Sequence, residues 1–600
     1  MNPTAAPAAP LLPSAKPATR PLLPAAPRRG WLWWLAMATA GLVLAPVLAV
    51  AGRAGLGLFG VADGSPSGTW AHLVATVLPE YITTTFVLCA GVAVGVSALG
   101  VGAAWLVTRY DFAGRRHLEW ALVLPLAMPA YVMAYAYTDW LQFVGPVQTL
   151  LRELMGWSRA DYRFPDVRST GGAVLMFSLV LYPYVYLLAR TAFLERAGGL
   201  AEVGRTLGLS PRAVFWRLSL PLARPAIVGG VALALMETLA DFGTVSYFGV
   251  QTFTTGIYRA WFSLGDRAAA AQLSMLLLAF VVLVLTLERL SRGRRRFHDL
   301  GLRRPAARQP LGAGPGALAA LACALPLIGG FGLPAALLFR LALREGDAQF
   351  GPRFLTLAGH SVLVAACTAV LAVALALVLA YADRVHRSLA TSVAHRIGSL
   401  GYALPGTVVA VGLLLPVTQI DHALGAALQS AFGLRPQLWL TGSVAALVLA
   451  CLVRYLAAAQ QAVDAGLARI TPNMDAAARS LGQTAPAVLR RVHLPLLRGS
   501  ALTAALLVFI DAMKELPATL VMRPFNFDTL ATQAYLLASD ERLAEASTAA
   551  LAIVAVGLLP MIIISRHIAR GAGGTAGAGG TGGTGGTAGT GGTGAPRPRA

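Results

Sequence analysis

The 600-residue chain holds only four cysteines, Cys89, Cys323, Cys367 and Cys451, each alone in an apolar stretch. With no C-x-x-C pair and no Cys/His cluster, neither a structural zinc site nor a disulfide framework is supported, and the four read as small buried hydrophobes. Charged residues are scarce, 12% of the total where soluble domains carry about 25%. Lysine is nearly missing. Lys16 follows Ala15 and Lys514 follows Met513, so neither completes the G-x-x-x-x-G-K-[ST] loop that cradles nucleotide phosphates. No Ser/His/Asp constellation and no H-E-x-x-H spacing occurs, which leaves a membrane-embedded enzyme without its nucleophile, base or metal. What is plentiful is apolar: 56% of residues are hydrophobic and the mean hydropathy is +0.65. That composition excludes a disordered chain, a secreted disulfide scaffold and an ordinary soluble enzyme. The net charge of +21 comes from basic residues set between apolar stretches, the pattern of loops flanking membrane helices, so it does not argue for nucleic acid.

Crossing ~30 Å of hydrocarbon at ~1.5 Å per residue takes about 20 apolar residues, and such segments must be helical because lipid offers backbone amides no partner. Twelve segments qualify, near 31–51, 82–108, 118–140, 172–194, 226–248, 270–288, 316–340, 360–381, 397–418, 440–461, 499–521 and 547–565. The expected fold class is an all-α integral membrane protein with 12 transmembrane helices. With the N-terminus placed in the cytoplasm, most Lys and Arg fall on that side, as the positive-inside rule requires of a multi-pass protein with both termini cytoplasmic. The largest basic cluster, from Arg289 to Arg308, lies between spans six and seven and reads as a linker held near anionic lipid headgroups. Residues 1–30 read as a cytoplasmic tail rather than a cleaved signal peptide, since the apolar run that follows starts late and is long enough to span. The Gly/Thr-rich stretch 571–600 has little to bury and reads as a flexible, dispensable tail.

One segment occurs twice. Ala201-Glu202-Val203-Gly204-Arg205-Thr206-Leu207-Gly208 runs on to Trp216-Arg217-Leu218-Ser219-Leu220-Pro221, and Ala476-Ala477-Ala478-Arg479-Ser480-Leu481-Gly482 runs on to Arg491-Val492-His493-Leu494-Pro495. Gly208 and Gly482, Pro221 and Pro495, Glu237 and Asp511, and Asp241 and Glu515 are each 274 positions apart, while Pro129 and Pro405 are 276 apart. The chain therefore reads as two homologous six-helix halves, 31–298 and 313–570, joined by a cytoplasmic linker, 299–312. An even number of crossings separates them, so they lie parallel about a pseudo-two-fold axis along the membrane normal, with a pathway at their junction. Each repeated segment is too charged for the bilayer and reads as two short amphipathic helices broken at Gly208 or Gly482, where glycine can take a positive φ. Leu220-Pro221 and Leu494-Pro495 are expected to close the second helix, because proline pushes the preceding residue out of helical geometry. A single copy could equally lie on headgroups. Two copies at matched positions call for a cytoplasmic partner groove.

These residues resemble the coupling loop of permeases in binding-protein-dependent ABC importers. The first copy keeps Glu202, Gly208, Leu218, Leu220 and Pro221 of that pattern. The second keeps Gly482, Val492, Leu494 and Pro495, with Ala476 at the glutamate position and Asp475 one residue earlier. The fused two-half layout, with Leu235-Met236-Glu237-Thr238-Leu239-Ala240-Asp241 and Lys514-Glu515-Leu516-Pro517, is similar to the ferric-iron transport permeases. The resemblance implies the ABC importer type I permease fold in the cell inner membrane. It also implies two cytoplasmic ABC ATPase subunits, one on each loop, and a periplasmic or surface solute-binding protein of the ferric-iron type. ATP would be bound by the ATPases, with no cofactor in this chain, and their closure would rock the halves between inward- and outward-facing states. Fused permeases of this shape also suit thiamine or a polyamine. An ion-coupled secondary transporter shares the repeat logic but has no use for paired cytoplasmic loops.

Ionisable groups inside spans are costly and face a cavity or a partner. Glu237 and Asp241 share one helix face, as do Asp511 and Glu515, with Lys514 beside them. Two readings stand: carboxylates that attract a cation along the pathway, or groups that pair with Lys514, arginines or backbone amides and hold the halves in register. Tyr131, Tyr135 and Tyr137, and Tyr182, Tyr184 and Tyr186, have the phenols that suit a hard cation but read first as packing and interfacial aromatics. His422 beside Asp421, placed in an outer loop, is weak evidence for metal, and the metal ligands are unknown.

Overall fold

The computed structural model describes residues 30–58, 67–206, 208–292, 308–344, 351–386, 388–433, 438–468 and 470–573. The two tails, most of the basic linker and the side chain of Glu202 lie outside the described residues. In the first half the principal helices are α1 (Trp31–Leu58), α2 (Leu78–Arg109), α3 (Ala130–Leu141), α4 (Thr170–Thr206), α5 (Leu220–Ala240) and α6 (Arg267–Arg292). In the second they are α7 (Ala313–Leu327), α8 (Leu333–Arg344), α9 (Pro352–His386), α10 (Gly406–Phe432), α11 (Val444–Leu467), α12 (Leu494–Met513) and α13 (Leu543–Gly573). A π-turn at Ile328–Gly332 joins α7 and α8 into one apolar rod.

Ten helices among the described residues are long and apolar enough to cross a membrane, or eleven if one pair bent by 93° counts as a single span. That pair covers the third expected segment. It breaks because Pro129 takes an extended backbone (φ −63°, ψ 137°) at the start of α3, and Pro405 does the same (φ −58°, ψ 140°) at the start of α10. The twelfth expected segment falls on α13, whose apolar run is short, Leu543–Leu558.

Packing without a hydrophobic drive between helices depends on small residues that let backbones approach. Gly91, Gly95 and Gly100 of α2 lie against Val174, Ser178 and Val185 of α4, where any Cβ would collide. α2, α4 and α5 form one three-helix core, and α9, α11 and α12 form its counterpart. The first helix of each half crosses over. α1 packs on α10, with Gly412 against the Pro46 backbone, and α8 packs on α3, while each also packs on the last helix of its own half. Cys323 and Cys451 are buried as expected, but Cys89 is half-buried and Cys367 exposed, because the outward side of a membrane helix is apolar too.

Contacts place both repeated segments on one face. Tyr110–Asp111, after α2, pairs in parallel with Gln309–Pro310, before α7. Phe215 of the first repeat meets Trp105 of α2 at 4.8 Å. The rod α7–α8 and then α9 make one round trip, ending at Arg384, which bonds Asp475 of the second repeat.

Candidate functional site

The repeat reappears in the backbone of that face. Gly208 and Gly482 have φ of 66° and 76°, a region costing other residues about 1–2 kcal/mol. Short helices follow at Pro211–Val214 and Ala485–Val488, then π-turns at Phe215–Ser219 and Leu489–His493, then α5 and α12. Leu220-Pro221 and Leu494-Pro495 do not close a helix, against expectation. Each proline stands in the first turn of the next helix, where its missing N–H costs little. The Leu220 N–H donates back to the Phe215 carbonyl and that of Leu494 to Leu489, so loop passes into span without a break. Leu218, Leu220 and Val492 are half-buried, whereas Pro221, Leu494 and Pro495 are exposed. Trp216 is 66% exposed and Leu481 79%, so each loop presents a large apolar side chain outward. Val214 is buried and Phe215 packs on Trp105, so both turn inward.

The two copies differ in how they are held. In the first, the opening helix is the end of α4 itself. In the second it is a separate helix, Pro472–Ser480. Asp475 is buried there. Its Oδ2 accepts from Arg384 Nε at 2.9 Å and its Oδ1 lies 2.7 Å from His493 Nε2. Arg384 also donates to the Ile470 carbonyl at 2.9 Å. Burial pushes the Asp475 carboxyl up, but the bonds from Arg384 and His493 outweigh it and leave the group below its ordinary 3.8. Asp475 is thus held by its own chain.

The intramembrane charges converge on a cavity between the halves, lined by Glu237, Asp241, Asp511, Lys514 and Glu515 together with Arg454, Tyr131 and Tyr184. Arg454 Nη1 is 2.6 Å from Glu515 Oε2, and Nη2 is 3.7 Å from Glu237 Oε2 on the other half. Lys514 Nζ is 2.9 Å from Asp511. Tyr455 donates a short hydrogen bond to Glu515. Asp241 accepts from the Thr244 amide at 2.8 Å and Glu515 from the Ala518 amide at 3.0 Å, at matched positions where each helix breaks and frees backbone donors. Asp241 and Glu515 satisfy backbone, while Glu237 keeps a side chain partly open to the cavity.

Arg454 is the residue that sequence reasoning missed: it is buried within α11, inside the tenth expected span. The signal was available, since an arginine inside an apolar run is as costly as Lys514. The tyrosines divide by direction. Tyr137 donates to the Gly329 carbonyl at 2.7 Å and Tyr186 to that of Glu119 at 2.7 Å, which are structural bonds. Tyr131 and Tyr184 line the cavity. Asp421 and His422 lie within α10 rather than a loop, and Asp421 accepts the amides of Trp439, Leu440 and Thr441, a structural role.

Residues 96–296 match the family described as binding-protein-dependent transport system inner membrane component. The chain is 27% identical over 496 residues to the Fe(3+)-transport system permease protein FbpB 2 of Haemophilus influenzae, covering 82% of this chain and 90% of that protein. It is 29% identical over 205 residues to the molybdenum transport system permease protein ModB of Escherichia coli, 32% of this chain and 86% of that one. With the probable sulfate transport system permease protein cysT of Chlorokybus atmophyticus it shares 30% identity over 225 residues, 36% of this chain and 71% of the relative.

Proposed function

Because the chain belongs to the binding-protein-dependent transport system inner membrane components, the permeases of ABC importers, we propose that it moves ferric iron by alternating access, powered by ATP bound and hydrolysed on two separate ATPase subunits. The observation that carries this reading is the pair of loops on one face, with identical backbone devices 274 residues apart and an outward apolar side chain on each. Two handles on one face suit two identical motors, one per loop, on the cytoplasmic side. Twelve spans complete the scheme when the bent pair and α13 join the ten long helices, in two homologous six-helix halves, 31–298 and 313–570, with both termini cytoplasmic. A ferric-iron solute-binding protein would deliver from the opposite face.

Iron is supported over an oxyanion by two features. The Fe(3+)-transport relative aligns across both halves, whereas the molybdenum and sulfate relatives align over about one half's length. The cavity sets four carboxylates against two basic groups, which favours a cation. The test is uptake into proteoliposomes holding the chain and its ATPases, with ferric iron, molybdate and sulfate offered through their binding proteins. ATP-dependent ferric uptake is expected, abolished by Gly208→Pro with Gly482→Pro together with loss of the co-purifying ATPase. Uptake by the chain alone from an ion gradient would refute the scheme.

A further inference from the structure

The inter-half cavity holds more acid than base and one hydroxyl with nothing to bind. Asp511 and Glu515 each have a cationic nitrogen within 2.9 Å, whereas among the described residues the ion pair of Glu237 is with the second nitrogen of Arg454, at 3.7 Å, with the Lys514 charge also acting on it. Tyr131 lines the same cavity, is 4% exposed, and its hydroxyl has no hydrogen-bond partner. A buried hydroxyl is costly unless something visits it. The basic groups belong to the second half alone, since the positions 274 residues before Arg454 and Lys514 are Val180 and Ala240. Among the described residues no three His, Cys, Asp or Glu side chains come together as a metal cage, which suits a cation that keeps its water.

We propose that Glu237 and Tyr131 form a passing station for a hydrated multivalent cation, and that Arg454 is the tethered counter-cation that neutralises Glu237 when the station is empty. This rests on the ferric-iron reading and narrows it to three residues. An arriving cation replaces the guanidinium at Glu237. Arg454 then stays with Glu515, to which it is bonded at 2.6 Å and which Tyr455 also holds, so the displaced group has a place to remain. The Tyr131 hydroxyl exchanges hydrogen bonds with water in the cation's shell. Contact through water rather than direct ligation keeps binding weak enough for release, as conduction requires. The Glu237–Arg454 contact also joins the two halves, and its release accompanies their separation.

The test uses the complete complex with ATPases and iron-loaded binding protein in proteoliposomes. Tyr131→Phe and Glu237→Gln are each expected to lower maximal ferric uptake about tenfold. The binding-protein concentration at half-maximal rate, and the ATP hydrolysis that protein stimulates, should stay unchanged, whereas a merely structural defect lowers uptake and hydrolysis together. The double variant Arg454→Gln with Glu515→Gln removes the guanidinium together with its buried partner and leaves the half-open Glu237 without a counter-cation, and it should raise the passive leak of potassium ions several-fold in the absence of ATP. Wild-type ferric uptake with both single variants equally active overturns the station and leaves the importer reading intact. An unchanged leak overturns the role of Arg454. A wild-type complex that carries molybdate or sulfate but no iron overturns the ferric reading itself.

Discussion

The first half lets its repeated loop run straight out of α4, whereas the second cuts the loop helix free and fastens it from below. The difference traces to single positions 274 apart. Pro472 stands where the first copy has Gly198, Asp475 where it has Ala201, and His493 where it has Ser219. Proline pushes the residue before it out of helical geometry, so α11 ends at Leu467 and the loop helix restarts at Pro472. A helix severed from its span needs another anchor, and Asp475 supplies it through Arg384 and His493. A second pair of positions shows the same reshuffling. Glu119 pairs with Arg190 in the first half, and at matched places His395 pairs with Asp464 in the second, with the charges exchanged. Even the supporting bond is kept, from Tyr186 to the Glu119 carbonyl and from Gln460 to the His395 carbonyl, both at 2.7 Å. Backbone geometry is thus shared between the halves while the charges that hold it are not. The missing glutamate at Ala476 is one part of a loop rebuilt around a different anchor.

The largest way to break this comparison is Asp475→Ala. It strands the Arg384 guanidinium against carbonyls and leaves buried His493 without its partner, at a cost of about 3 kcal/mol to the local structure. Hydrogen exchange over Pro472–Ser480 in the purified complex should rise strongly, with ATPase release from the second loop alone. A contrasting change in the first loop, Trp216→Ala, removes an exposed side chain. It should leave exchange and unfolding temperature nearly unchanged, within about 0.5 kcal/mol, while weakening ATPase capture. Acid gives an independent check on the anchor. The Asp475 carboxyl titrates below 3.8 when folded, so its contribution is present above that value and is lost as pH falls through the folded pKa. Between pH 5 and 9 the Asp475 carboxylate should contribute no change.

Much of this architecture is legible in the sequence. Apolar runs long enough to span gave the helices, and a fixed offset between glycine, proline and acidic residues gave the repeat. What escaped depends on contacts between distant positions. Arg454 is 61 residues from Glu515, and no local pattern marks that partnership. Tyr131 and Tyr137 lie in one short helix, yet one faces the cavity and the other bonds Gly329, because a neighbouring helix decides which phenol finds a partner. The Leu-Pro pairs misled for a local reason. Proline disfavours a helix before it but suits a helix's first turn, and the π-turns let loop and span join at that point.

A smaller test sharpens what the halves share. Gly208→Ala and Gly482→Ala each place a side chain at positive φ, with no atom of the described residues beyond the chain neighbours within 4 Å of the added carbon, so backbone strain dominates. Each should cost about 1 kcal/mol, and the two costs should agree. A marked inequality, measured by unfolding in detergent, would show that the matching backbones carry unequal loads.

The smallest expected effect separates the two exchanged ion pairs by pH. His395 Nε2 lies 3.1 Å from Asp464 Oδ1, and that hydrogen bond, outweighing burial and aided by the charges of Asp464 and Asp383, raises the imidazole above its ordinary 6.5. A folded pKa above the unfolded one stabilises fully below pH 6.5, and the gain is lost as pH rises through the folded value. The Glu119–Arg190 pair contains no histidine and should hold across that range. Asp464 is 39% exposed, so solvent screening limits the His395 pair to about 0.5 kcal/mol, or about a twofold change in local opening. Hydrogen exchange, corrected for its intrinsic pH dependence, should therefore rise about twofold in Leu389–Gly398 across this window and stay level in Arg115–Ala121. His395→Gln should flatten the first profile to match the second, and parallel profiles in the unmodified protein would mean that exchanging the charges has no consequence for how the halves are held.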